Sequence, residues 1–334
     1  SLGVDGELDT QKADVSVTAQ QLDFNPTTLA VELAELVAKV DAALPGVGQV
    51  NASVAAPALQ LTEKTASGQS FTLDATLTQP EGRKVVSQVV LNNLKGNLQQ
   101  NITGDLAVKV DLDENARQVK FDLASPLNVD VGKQLVALSQ FKGGLDVTDA
   151  ALPKGKAVMP LNGSLRADVK GQTADLQLAS NFESTQFDLK AGVKDFASPF
   201  ITAALKADKL DIDALLPPKK ESDAPAKDGQ SQPIDDIPVD LSPLKAVNAD
   251  ATVKIGHLKA SGINVRNIDL RAVSRGGKLT VNPMSANLYE GSSQGSIVAD
   301  ANNNLVTIKQ NLSDVQIEPL LKDLLSKDMA AGKG

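Results

Sequence analysis

"GDLAVKVDLDE", Gly104 to Glu114, has a period of two that places Leu106, Val108, Val110 and Leu112 on one side of an extended chain. The same period of two recurs in both directions. "ADVSVTAQ" groups Ala13, Val15, Val17 and Ala19, and "SFTLDATLT" groups Phe71, Leu73, Ala75 and Leu77. "ADLQLAS" sets Leu176 and Leu178 against Asp175 and Gln177. Strands with one apolar and one polar face form antiparallel sheets far more often than parallel ones.

The last hundred residues are the most regular. "ATVKIG", "LKASGINV", "NIDLRAVS", "KLTVNP", "SANLYE", "GSIVAD" and "LVTIKQNL" follow one another, separated by Gly256, Gly276-Gly277, Pro283, Gly291 and "DANNN". Turns this short leave no room for crossover helices, so a meander is expected.

One helix is expected, over residues 27–44. Leu29, Leu33, Leu36, Val37, Val40 and Leu44 form a stripe at helical spacing, with Asn25-Pro26-Thr27 before it and Pro45-Gly46 after it. Shorter helical pieces are expected at "GKQLVALSQF", "DALL" and "EPLLKDLL". These pieces expose a repeat in which a strand runs into a leucine-rich turn of helix: "QLDFNPTTLA" from Gln21, "PLNVDVGKQL" from Pro126, "KLDIDALL" from Lys209 and "DVQIEPLL" from Asp314.

Between the last two copies lies "PPKKESDAPAKDGQSQPIDDIP", Pro217 to Pro238, which is nearly devoid of apolar residues and reads as a solvated insertion or linker. The expected organisation is therefore four segments. Residues 1–216 carry β repeats with the one amphipathic helix, and 217–238 are the linker or insertion. Residues 239–326 form the C-terminal meander, and 327–334 are a tail. The chain opens abruptly at Ser1 and ends in "MAAGKG", as a segment of a longer protein would.

The chemical inventory is sparse. The 334 residues carry a net charge of -8, contain no cysteine and contain one histidine, His257. The acidic balance argues against a nucleic-acid partner, which calls for a basic stripe. Absence of cysteine removes thiolate nucleophiles and sulfur-ligated zinc. "SANLYEGSSQGS", Ser285 to Ser296, has two glycines four residues apart but no Gly-Lys-Ser/Thr opening a helix, so it reads as a hairpin and not a phosphate loop. "DLDENARQV" and "DANNN" lack the glycine and the glutamate that a calcium loop needs. No catalytic constellation, metal site or cofactor site is expected, and the chain is read as a non-enzyme.

The segment "LKASGINVRNIDLRAVSRGGKLTVNPMSANLYEGSSQGSIVADA" resembles the C-terminal region of the AsmA family. There a strand ending in an apolar residue, tyrosine and a glycine-containing turn ("NLYEGSSQG") precedes a further strand and a segment like Val315 to Leu321. The resemblance runs from about Ala246 to Leu325, and "LDFNPTTL" and "LDIDALL" look similar to the family's strand-to-helix repeats. It implies a bacterial inner-membrane protein with an N-terminal membrane helix, absent from this chain, and a periplasmic body. It also implies kinship with bridge-like lipid transfer proteins, whose repeated β units form a groove. The implied role is phospholipid movement between inner and outer membrane and support of outer-membrane integrity and biogenesis.

The fold expected is mainly β: an elongated, curved antiparallel sheet forming an open groove, with a few short helices. An acyl chain along such a face gains about 0.8 kcal/mol per buried CH2, with no catalysis required. The expected lipid-binding residues are Val253, Ile255, Leu270, Leu279, Val281, Leu288, Val306 and Ile308. The alternative is a scaffold that engages outer-membrane protein clients by strand addition.

Overall fold

The computed structural model describes residues 2–8, 11–27, 30–62, 64–152, 154–213, 240–260 and 262–320. These residues are built almost entirely of strands. Chain contacts divide the protein into two compact units, one of residues 1–150 with 154–183 and the other of 151–153 with 184–334.

The N-terminal unit holds twelve strands among the described residues: β1 (Leu2–Leu8), β2 (Gln11–Thr18), β3 (Gln21–Asn25), β4 (Ala30–Leu44), β5 (Gly48–Leu61), β6 (Thr65–Thr78), β7 (Lys84–Asn97), β8 (Asn101–Glu114), β9 (Arg117–Asp130), β10 (Leu135–Thr148), β11 (Lys156–Asp168) and β12 (Thr173–Phe182). From β4 to β12 each strand pairs antiparallel with the next. β2 and β3 lie end to end along one edge of β4, opposite Val37–Ala42 and Ala30–Ala34 respectively. The result is an open antiparallel sheet.

The C-terminal unit holds β13 (Thr185–Lys194), β14 (Phe200–Asp211), β15 (Asn248–Ala260), β16 (Ile263–Arg275), β17 (Lys278–Leu288), β18 (Gly291–Asp300) and β19 (Leu305–Ser313), plus a 3-10 turn at Ser242–Ala246. β15 to β19 form the expected meander. β14 and β15 pair in parallel, from Phe200↔Asn248 to Asp211↔Lys259. The end of β14 and the start of β15 therefore stand about 35–40 Å apart, at 3.3 Å per residue along β14. That requirement explains an insertion at this point: a two-residue turn cannot make the crossing. The 217–238 segment itself, the "DALL" leucines and the 327–334 tail lie outside the described residues. The contact boundary falls between β12 and β13.

The helix expected over 27–44 is instead strand β4, paired on both edges. Its physical reason is Glu35, whose φ of 53° interrupts the alternation. Val31 and Leu33 precede the interruption, and Leu36, Ala38, Val40, Ala42 and Leu44 follow it on the same face. A three-residue step inside an alternating strand mimics helical spacing. "GKQLVALSQF" is likewise a turn leading into β10, and the first two "strand-to-helix" copies are strand–turn–strand. Of "EPLLKDLL" the described part begins in one helical turn, 317–320, and the remainder lies outside the described residues.

Candidate functional site

Residues paired across an antiparallel ladder share a face, so the registers fix which side chains stand together. Starting from Leu106, Val108 and Val110 in β8, the partners are Ser125, Leu123 and Phe121 in β9 and Leu91, Val89 and Ser87 in β7. The next step outward reaches Phe71, Leu73 and Ala75 in β6, then Val54 and Ala52 in β5, and Ala38 and Val40 in β4. On the other side lie Gly143, Leu145 and Val147 in β10, Leu161, Met159 and Ala157 in β11, and Leu176 and Leu178 in β12. One face of the N-terminal sheet is aliphatic across all these strands. The opposite face carries Lys39, Asp41, Asn51, Asp74, Gln88, Lys109, Asp122, Lys142, Arg166 and Asp175.

Continuity of that face depends on a row of irregularities. Apolar spacing widens from two to three at Leu33–Leu36 in β4, Ala56–Leu59 in β5, Gly68–Phe71 in β6, Leu91–Leu94 in β7 and Leu138–Phe141 in β10. Glu35 and Asn93 adopt positive φ there, 53° and 55°. Register shifts between β7 and β8 and on both sides of β10 absorb the extra residue, while β8, β9 and β11 run through unchanged. The shifts at β7–β8 and at β10 are β-bulges, whereas from β4 to β7 the extra residues stand opposite one another and the register is kept. The most deeply buried side chains gather along the row: Ala56 at 1% exposure, Ala66 at 3%, Phe141 at 4% and Ser125 at 5%. On the polar face the row opens a hollow of 960 Å³ from Gln21 to Ser139, lined also by Glu32, Asn93, Lys95 and Asp105.

The C-terminal unit repeats the device. Ala207–Leu210 in β14, Ile255–Leu258 in β15 and Val265–Ile268 in β16 widen to three at matched positions, with Asn267 at φ 50°. Gly256 is needed at this row, because a Cβ there would stand 2.5 Å from the Asp208 carbonyl oxygen. The Asp208 carboxylate accepts the backbone N–H groups of Gln186 and Lys209, and the Gln186 bond first of all holds its pKa below the ordinary value.

All eight residues expected to line the site fall on one face of this unit. Val253 opposes Leu270, and Ile255 shares the face one step along. Leu279 meets Ala299 and through it Val306, while Val281 meets Ile297 and through it Ile308. Leu288 lies two alternations beyond Met284, the partner of Leu270. Their exposure is graded: Ile255 is 8% exposed, whereas Val306 and Ile308 on the outer strand are 42% and 64% exposed. The same face includes residues that alternation alone does not select, such as Leu189, Leu205, Leu258 and Ile268. The three-residue step is the sequence signal for the last two.

Among the described residues no large side chain is fully buried, and no group of three or more acidic or histidine side chains could hold a metal ion. No helix among them is long and apolar enough to cross a membrane. The opposite face of the C-terminal unit is polar. There Arg271 grips Asp250 through two hydrogen bonds of 2.9 and 2.6 Å and holds that carboxyl below its usual range. Lys254 reaches Asp269 at 2.8 Å.

A family model described as AsmA family matches residues 5–334. No curated protein and no solved structure matches the chain.

Proposed function

The chain belongs to the AsmA family, and on that premise we propose that it binds lipid acyl chains along the apolar sheet face of each of its two units. One observation carries the reading. Each unit presents an aliphatic face across its paired strands, yet only a few large side chains of that face are buried, Leu138, Phe141 and Ile255, and none of them fully. A sheet face of this kind must be covered, and too little of the described chain lies over it to act as the second layer. Acyl chains supply such a cover at about 0.8 kcal/mol per buried CH2. The face is smooth and lacks directional polar groups, which suits sliding chains better than a fixed ligand.

Membership in the family supports placing the chain in lipid movement towards the outer membrane, as a periplasmic body that conveys phospholipid. The role is binding and conveyance, with no bond made or broken. The test is organic extraction of the purified chain followed by mass spectrometry. Phospholipid at one or more molecules per chain is the expected result; protein free of lipid, with the apolar faces packed against each other, would overturn the proposal.

A second reading rests on β19. Every residue of this outermost described strand is exposed, including Leu305, Ile308 and Leu312, and Lys309 is its only charged side chain. An open edge of that kind can accept an added strand. A client-scaffolding role would show as protein-dependent protection of β19 amides from hydrogen exchange, without bound lipid.

A further inference from the structure

β15 and β16 carry six basic side chains, and five of them have partners. Lys254 pairs with Asp269, Lys259 with Asp211 and Arg271 with Asp250, while Arg275 lies 5.0 Å above the Phe200 ring. His257 bonds to Asn264, Nε2 to Oδ1, at 3.1 Å. Arg266 alone has no hydrogen bond, ion pair or ring contact with the described residues. It sits directly across the ladder from His257 and, on its other side, from Asn287. An unneutralised guanidinium beside an imidazole is an arrangement suited to an incoming anion.

These three residues open onto one hollow of 600 Å³, which is also lined by Asn264, Leu288, Tyr289 and Glu290. Glu290 forms no ion pair with the described residues, and the Gln316 side-chain amide donates a hydrogen bond to its carboxylate and holds it in place. The hollow therefore contains an available cation and an available anion that do not neutralise each other. Arg266, His257 and Asn287 stand on the polar face, and Leu288, the last residue of β17, stands on the apolar face beside them, so the hollow lies where a lipid would pass over the strand ends from the acyl-chain surface.

We infer that this hollow is a headgroup site for a zwitterionic phospholipid, in which Arg266 takes the phosphodiester oxygens and Glu290 takes the headgroup ammonium. The inference rests on the acyl-chain reading above and adds the class of lipid. A guanidinium binds phosphate oxygens through paired, charge-assisted hydrogen bonds. A carboxylate lining the same hollow then favours an amine-bearing headgroup, whose ammonium it pairs with, over a glycerol headgroup, which offers it only neutral hydroxyls.

The purified chain is incubated with vesicles containing equal amounts of phosphatidylethanolamine and phosphatidylglycerol, and its bound lipid is extracted and quantified. The wild type is expected to be enriched in phosphatidylethanolamine. Arg266→Gln lowers total bound lipid at limiting lipid, and Glu290→Gln lowers the ethanolamine-to-glycerol ratio, each by about tenfold or more, the size expected for loss of a charged hydrogen bond. If both variants match the wild type in amount and ratio, the headgroup site is wrong while the acyl-chain reading stands. If the wild type takes up no lipid, the acyl-chain reading itself fails. Glycerophosphoethanolamine separates the two sources of the same chemistry: binding as tight as that of the whole lipid would make this a site for free phosphodiesters and overturn the lipid assignment.

Discussion

β8 and β4 solve the same problem in different ways. β8 keeps one parity from Ile102 to Leu112, and its apolar residues stay on one face by simple alternation. β4 changes parity at Glu35 and still delivers Val31, Leu33, Leu36, Ala38 and Val40 to that face. What the sheet holds constant is the face and not the register. A left-handed residue costs about 1–2 kcal/mol, so a strand that adopts one must recover more elsewhere. Here the recovery is packing along the row where β4 to β7 and β10 switch.

The difference can be broken most severely at Phe141, the residue that completes the three-residue step in β10. It is 4% exposed, and a Cβ at Gly163 would stand 2.6 Å from its ring. Phe141→Ala is expected to cost about 3–4 kcal/mol in urea denaturation, whereas Val110→Ala in the half-buried middle of β8 costs about 1 kcal/mol. Equal losses would mean that the row is not where the sheet is anchored.

Deleting Glu35 removes the switch and sends Val31 and Leu33 to the polar face. About 2–3 kcal/mol of stability should be lost, about half the full burial value for the two side chains because they are only half covered. Replacing Glu35 by glycine keeps the switch and relieves the positive φ, so it should raise stability by about 1 kcal/mol. Glycine in place of Leu106 in β8 should do the opposite. Stabilisation by both glycines, or by neither, would contradict the distinction between switching and straight strands.

The smallest effect concerns the row in the C-terminal unit. Asp208 has a depressed pKa because it accepts the Gln186 and Lys209 amides. A depressed carboxylate stabilises the fold above its unfolded value near 4 and loses that contribution as pH falls through the folded value. The thermal midpoint of the wild type should thus drop more steeply below about pH 4 than that of Asp208→Asn. Parallel curves would remove Asp208 from the account.

Much of this architecture is legible in the residues. The period of two at Leu106–Leu112 and Phe71–Leu77 gives the strands and their faces directly, and the eight residues selected from β15 to β19 share one face. The stretch at 27–44 misleads because Leu33 and Leu36 stand three apart, a spacing shared by helices and by strands that change parity. Matching steps at Ala56–Leu59, Gly68–Phe71 and Leu91–Leu94 distinguish the two, since a row of parity changes must cross neighbouring strands at paired positions. The parallel pairing of β14 with β15 is not written in local pattern, because it depends on where a long connection returns. The hollow at Arg266 and Glu290 is equally hidden: these residues are 24 positions apart and meet only through the ladder.

The most direct measurement of the central claim uses neighbours in sequence that stand on opposite faces. A photo-crosslinking residue is placed at Val108 or Lys109, and at Val253 or Lys254, in the chain within its native cells, and crosslinked phospholipid is counted. The account predicts strong labelling at Val108 and Val253 and little at Lys109 and Lys254. Equal labelling within each pair, or labelling confined to the lysine positions, would contradict it.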